Sequence, residues 1–307
     1  MSSTRSIKTL GLAGLMAVMA MMVVAAVGAA SASATEPVYS KSKVCTHAAT
    51  AFTPAFTKGS VWWFNNSACT SHTATTKPSA LGAGEYGYSP FYSESGASRL
   101  VTVAGHEVTC EHDFNVGELT GPKSDRVAIE FTGCVAIGPL GVKLPCKSVT
   151  PGAPAGAAGE IATNVLKSTL YYIKGTHATT KEVAIGLEPE TAALFTEFKC
   201  EGSGVTELIK VGNKAGSGKG SLVCPITPTN TPGTKYTLAC KQKSGVQEPT
   251  EYEKETSPES GTWEKVVDYL ESEATCTGFG CTKYTWQQSG QESTDSITTA
   301  ETGEIKA

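Results

Sequence analysis

The chain has no Gly-x-Ser-x-Gly elbow and no His-Glu-x-x-His helix. That removes the commonest signatures of serine hydrolases and zinc peptidases. Its five histidines, His47, His72, His106, His112 and His177, stand without a partner motif. Nothing brings nucleophile, base and stabilising group together, so the sequence makes no case for catalytic residues or a cofactor. Clustered Lys and Arg are also missing, which argues against nucleic acid as a partner. The polar C-terminus, Glu301 to Ala307, holds no second hydrophobic anchor. Methionine occurs only at Met1, Met16, Met19, Met21 and Met22.

What is present begins with a leader. Arg5 and Lys8 are followed by an uncharged apolar run from Leu10 to Val27, then by the small-x-small sites Ala30-Ser31-Ala32 and Ala32-Ser33-Ala34. This is the pattern of a secretory signal peptide over 1–34, cut after Ala34. An uncleaved membrane anchor is the alternative, which the two cleavage sites disfavour. Cleavage would take 34 of 307 residues and leave 273, with 23 basic against 29 acidic side chains, a net charge of −6. The expectation is a secreted or extracellular protein with no membrane contact once the leader is gone.

Residues 35–95 read as an irregular extension rich in Ser, Thr and aromatics, including Trp62-Trp63-Phe64. From residue 96 to 307 the period changes to two. Val127, Ile129 and Phe131 alternate with polar or small neighbours; so do Val183, Ile185 and Leu187, Leu222, Cys224 and Ile226, and Tyr236, Leu238 and Cys240. Gly/Pro turns separate these runs. The pattern predicts an all-β fold, an antiparallel sandwich or barrel of many short strands stapled by disulfides. Trp263, Val266, Val267 and Leu270 fit helical spacing, but their β-branched and aromatic content favours a strand.

All ten cysteines follow the leader, and an oxidising compartment favours pairing them. A hairpin that sets Cys224 opposite Cys240 also sets Ile226 opposite Leu238 and centres on Pro232, inside a turn-rich segment. Hydrophobic faces and turn then agree on one register. By the same reasoning Cys134 and Cys146 pair around Leu140, and Cys276 and Cys281 flank a four-residue loop. Cys45–Cys69 is assigned locally, which leaves Cys110–Cys200 as a long-range bond and the main staple.

Several short stretches follow one another in this order: Val108-Thr109-Cys110, Gly117 to Lys123, Phe131-Thr132-Gly133-Cys134, Pro145-Cys146-Lys147-Ser148, Gly159 to Asn164 and Phe198-Lys199-Cys200. Together they resemble a large family of secreted actinobacterial proteins without assigned function, over roughly 98–307. The resemblance implies secretion and a β-rich fold, and no activity. Cys224 and Cys240 fall where such relatives would carry other residues, which is consistent with their being added as a pair.

Candidate chemistry is sparse. His106, Cys110 and His112 share one strand parity and could form a metal half-site if Cys110 were free; a disulfide at Cys110 removes it. Asp113, Asn115 and Glu118 place oxygen ligands along a short segment, as calcium loops do, without a third acidic position or a distal bidentate glutamate. A polar turn is the plain alternative. Gly212 to Gly220 looks like a phosphate loop but lacks the Ser/Thr after its lysine. Glu264 with Asp268, or Glu271 with Glu273, could act as paired carboxylates in glycoside hydrolysis, though acidic pairs on a solvated strand are common. Trp62 and Phe64 point to one face of a strand and could stack on a sugar ring, or pack the extension onto the core. The resulting expectation is a secreted, non-enzymatic structural or binding protein of the cell exterior, its partner unknown, with envelope glycan or protein as the candidates. A carbohydrate-binding module or glycan hydrolase, and a calcium-stabilised adhesin, stand as alternatives.

Overall fold

A computed structural model describes residues 36–40, 63–64, 72–74, 90–138, 141–149, 156–175, 177–191, 193–214, 220–257, 261–278, 281 and 283–307. The leader, Trp62 and the proposed Cys45–Cys69 pair lie outside these residues. Those described form strands and no α-helix. The first are β1 (Val38–Ser40), β2 (Trp63–Phe64) and β3 (His72–Ala74). A meander follows: β4 (Pro90–Ser95), β5 (Ser98–Thr102), β6 (Glu107–Cys110), β7 (His112–Leu119), β8 (Ser124–Thr132) and β9 (Val135–Ile137). Next come β10 (Lys143–Ser148), β11 (Ile161–Ala162), β12 (Leu166–Ile173), β13 (Val183–Pro189), β14 (Leu194–Gly202) and β15 (Val205–Gly212). The chain ends with β16 (Leu222–Thr227), β17 (Gly233–Lys243), β18 (Val246–Glu248), β19 (Glu251–Ser257), β20 (Thr262–Val267), β21 (Glu271–Thr277) and the long β22 (Tyr284–Lys306). The ambiguous segment after Thr262 is thus a strand.

Eight antiparallel strands close a barrel. Around the ring, β8 pairs with β12, then β13, β16, β17, β22, β4 and β7, which returns to β8. The remaining long pairings close a second ring: β22, β21, β15, β14, β10, β9, β6 and β5, back to β22. Neighbouring short strands are halves of longer ones. Ser95↔Asp113 and Ser98↔Cys110 keep one register across the break at Gly96-Ala97, and His112↔Thr132 and Val108↔Ala136 keep another across Glu111. Four long strands therefore run through both rings, bending at bulges where they pass from one to the other. Gly133 marks one such bend: its φ is +66°, and a Cβ there would lie 2.7 Å from the Glu111 side chain. The β19–β20 hairpin lies outside, joined to β12 at Tyr172↔Glu253.

Two expectations need correction. The expected boundary at residue 96 cuts a barrel strand, because the six residues of β4 continue into β5. The cysteine pairing also differs. The bonds are Cys110–Cys134 and Cys146–Cys200, rather than Cys110–Cys200 and Cys134–Cys146. The reason is a row. Cys110, Cys134, Cys146 and Cys200 occupy one level on four adjacent strands, with the Cys146 N–H donating to the Cys134 carbonyl. Cys134 and Cys146 do oppose each other around residue 140, yet each bonds its neighbour on the other side. Cys110 and Cys200 stand three strand spacings apart, about 14 Å, beyond disulfide reach. Pairing all four then requires the observed bonds. Cys224–Cys240 and Cys276–Cys281 are bonded as the hairpin registers require, with Ile226 opposite Leu238 and a Cα separation of 4.5 Å for the first pair.

Candidate functional site

The first barrel is not filled by apolar side chains alone. Inward positions on β4, β7 and β22 carry Ser93, Ser95, Asp113, Asn115, Ser293 and Asp295, all buried. Register places them together. Ser95 on the middle strand opposes both Asp113 and Asp295, and one level along, Ser93 opposes both Asn115 and Ile297. The Ser95 hydroxyl donates to Asp113 Oδ2 at 2.5 Å. Asn115 Nδ2 donates to Ser93 Oγ at 2.6 Å and to Asp295 Oδ1 at 3.0 Å, and the Ser293 hydroxyl donates to Asp295 Oδ2 at 3.0 Å.

Burial pushes the Asp113 carboxyl up to about 9, with the adjoining Asp295 adding to the rise. Burial raises Asp295 as well, opposed by the hydrogen bonds it receives. Burial favours the protonated form of both carboxyls, and the hydrogen bond between them places a proton on Asp113. Asn115 Oδ1 is buried and accepts from no protein group, while the Asp113 carboxyl hydrogen-bonds to Asp295. Beside them lies a cavity of about 80 Å³ whose other walls include Phe91, Val127, Ile185, Leu187, Ile226 and Leu238.

The outer mouth of this barrel is crossed by β1, which pairs with the end of β22 at Tyr39↔Ile305. The Tyr39 hydroxyl donates to Asp125 Oδ2 at 2.6 Å. Burial pushes Asp125 up to about 6, against the pull of that hydroxyl. Ile305 is buried beneath the crossing. At the inner end, Ile129, Phe131, Leu222 and Gln291 separate the cavity from a second one of about 70 Å³ inside the other ring.

Of the proposed calcium set, Asp113 and Asn115 share the lumen, but Glu118 does not join them. Strand alternation sends it to the opposite face, where Arg126 Nη1 lies 3.8 Å from Glu118 Oε1. Arg126 in turn donates to both Glu190 oxygens, at 2.6 and 2.8 Å. The segment is a strand, not a loop. His106, Cys110 and His112 are not brought together: Cys110 is in a disulfide, and the break at Glu111 reverses the parity of His112, which is exposed. Gly220 N–H donates to Asp268, which also accepts from Ser221 and from the Tyr269 N–H. Residues 215–219 of the glycine-rich stretch lie outside the described residues. Asp268 thus serves the backbone, and Glu264 opposes Lys254 in the β19–β20 hairpin. Phe64 lies in β2, paired with β3. Asp295 and the three serines were missed. The polar run Gln287 to Thr299 was the available sign, but nothing local tells which strands flank it.

Among the described residues, no group of three His, Cys, Asp or Glu side chains is placed to hold a metal ion. None of the described helices is long and apolar enough to cross a membrane, there being no helix. The four disulfides are compatible with an extracellular protein. No protein-family model, no curated protein and no solved structure matches the chain.

Proposed function

We propose that this is a secreted, non-enzymatic binding protein that holds a small ammonium compound in the lumen of its first barrel. The observation that carries this is the buried, unpartnered acceptor Asn115 Oδ1, beside the cavity and next to the hydrogen-bonded Asp113–Asp295 pair. A primary ammonium brings three donors to these oxygens and a positive charge that favours ionisation of the carboxyl pair. The apolar walls suit a short alkyl chain. The size is restrictive: about 80 Å³ is well below the ~150 Å³ apolar cavity known to take benzene. The leader pattern, the disulfides and the resemblance to secreted actinobacterial proteins support the exterior location.

The test uses protein recovered from the culture medium, whose first residue is expected to be Thr35. Thermal melts at pH 7 with millimolar propylammonium chloride should rise with its concentration, as mass action requires of a ligand that binds only the folded state. Propan-1-ol at the same concentrations should give no rise, and Asp295→Asn should abolish the response to propylammonium. Equal rises with the alcohol would overturn the ammonium class. No rise with either compound would remove the binding reading.

A further inference from the structure

The row of four cysteines does not end at Cys200. On the next strand it meets Glu207, and on the strand after that Cys276, with Glu207 opposed to both. Glu207 is 1 % exposed, and its Oε2 has no hydrogen-bond partner. Its Oε1 lies 4.0 Å from Cys276 Sγ. Burial raises the carboxyl above its ordinary range. A buried, unpaired carboxyl is a cost to folding unless it serves something.

The bond beside it differs from the other three among the described residues. Cys134, Cys146, Cys200 and Cys224 are fully buried, whereas Cys276 and Cys281 are partly exposed. Cys276–Cys281 closes a loop with a sequence separation of only 5, against 16, 24 and 54 for the rest. Among the described disulfides it is the bond most open to an outside thiol and the one the fold relies on least.

We infer that Cys276–Cys281 is a thiol–disulfide exchange site, with Glu207 as its proton donor and acceptor and a dithiol as its co-reactant. A thiolate of the dithiol attacks Cys281 Sγ, forming a mixed disulfide as the Cys276–Cys281 bond breaks. The electron pair passes to Cys276 Sγ, which takes the Glu207 proton. The second thiolate then displaces Cys281, which leaves as a thiolate and is protonated from water. The dithiol is oxidised to its disulfide by two electrons, and Cys276 and Cys281 are left reduced. In the reverse direction the Glu207 carboxylate accepts the Cys276 proton.

Of the groups packed around Glu207, Cys200 on β14 is bonded and does not titrate, and Tyr284 on β22 stays neutral because burial pushes it up to about 12. His106 packs against Tyr284 with the rings tilted and their centroids 4.8 Å apart, and burial lowers it. The experiment exposes the native protein to limiting dithiothreitol between pH 5 and 8, traps thiols with iodoacetamide and maps them. Cys276 and Cys281 should be alkylated at least tenfold faster than the other six described cysteines. After correction for the thiolate fraction of the reagent, the wild-type rate should bend with pH. Glu207→Gln should slow it at least threefold and remove the bend, while the melting midpoint does not fall. Loss of all four described bonds together would overturn the inference without any variant. So would an unchanged pH profile in Glu207→Gln. Neither outcome touches the ammonium site in the other barrel.

Discussion

At the scale of single residues the lumen carboxyls make the firmest claim. Asp113 ionises near pH 9 in the folded protein, against 3.8 as its ordinary value. Between those values the folded state holds a proton that the unfolded chain has released. Stability then falls as pH rises: the contribution is intact below about 4 and is lost as pH climbs to about 9, with a slope of at most about 1.4 kcal/mol per pH unit. Asn in place of Asp113 keeps an acceptor for Ser95, offers a donor to Asp295 and carries no charge. Asp113→Asn should therefore match the wild type in thermal midpoint near pH 4 and exceed it by several degrees at pH 8, at about 2–4 °C per kcal/mol. Parallel midpoint curves for the two proteins across this range would mean that Asp113 does not hold the proton.

Among elements, the disulfides divide by what they close. The chain-entropy relation gives about 4 kcal/mol for the Cys146–Cys200 loop and about 2 kcal/mol for Cys276–Cys281. Replacing Cys146 and Cys200 together by alanine should cost at least twice as much in urea unfolding as replacing Cys276 and Cys281. Equal losses would show that strain or residual structure outweighs loop length. The same elements show what was legible beforehand. Strand alternation and turn position placed Cys224 opposite Cys240, because both signals lie within one hairpin. They also found that Cys134 faces Cys146. They could not show that β6 and β14 extend that row on either side, since those neighbours come from distant sequence. Asp113 and Asn115 stood out as polar residues at alternate positions. Asp295, about 180 residues away, joins them only because β22 lies beside β4.

The molecule as a whole is held by strands that belong to both rings. β22 enters the second barrel with Tyr284 to Glu292 and the first with Ser293 to Thr299, and the β4–β5, β6–β7 and β8–β9 runs cross in the same way. Opening one barrel would strip partners from strands that also wall the other, and an unpaired buried backbone group is expensive. The two barrels should therefore unfold as one cooperative unit. Pairings such as Ser95↔Asp295 must also form before either ring closes, so refolding should be slow, on the order of seconds or longer. Native-state hydrogen exchange separates the possibilities. Amides of β13 and β16, which serve only the first ring, and of β15 and β21, which serve only the second, should converge on one opening free energy as urea is added. Far-ultraviolet dichroism and tryptophan fluorescence should trace a single coincident transition. Two exchange plateaus, with β15 and β21 opening below β13 and β16, would show that the shared strands bend between separable barrels rather than bind them into one.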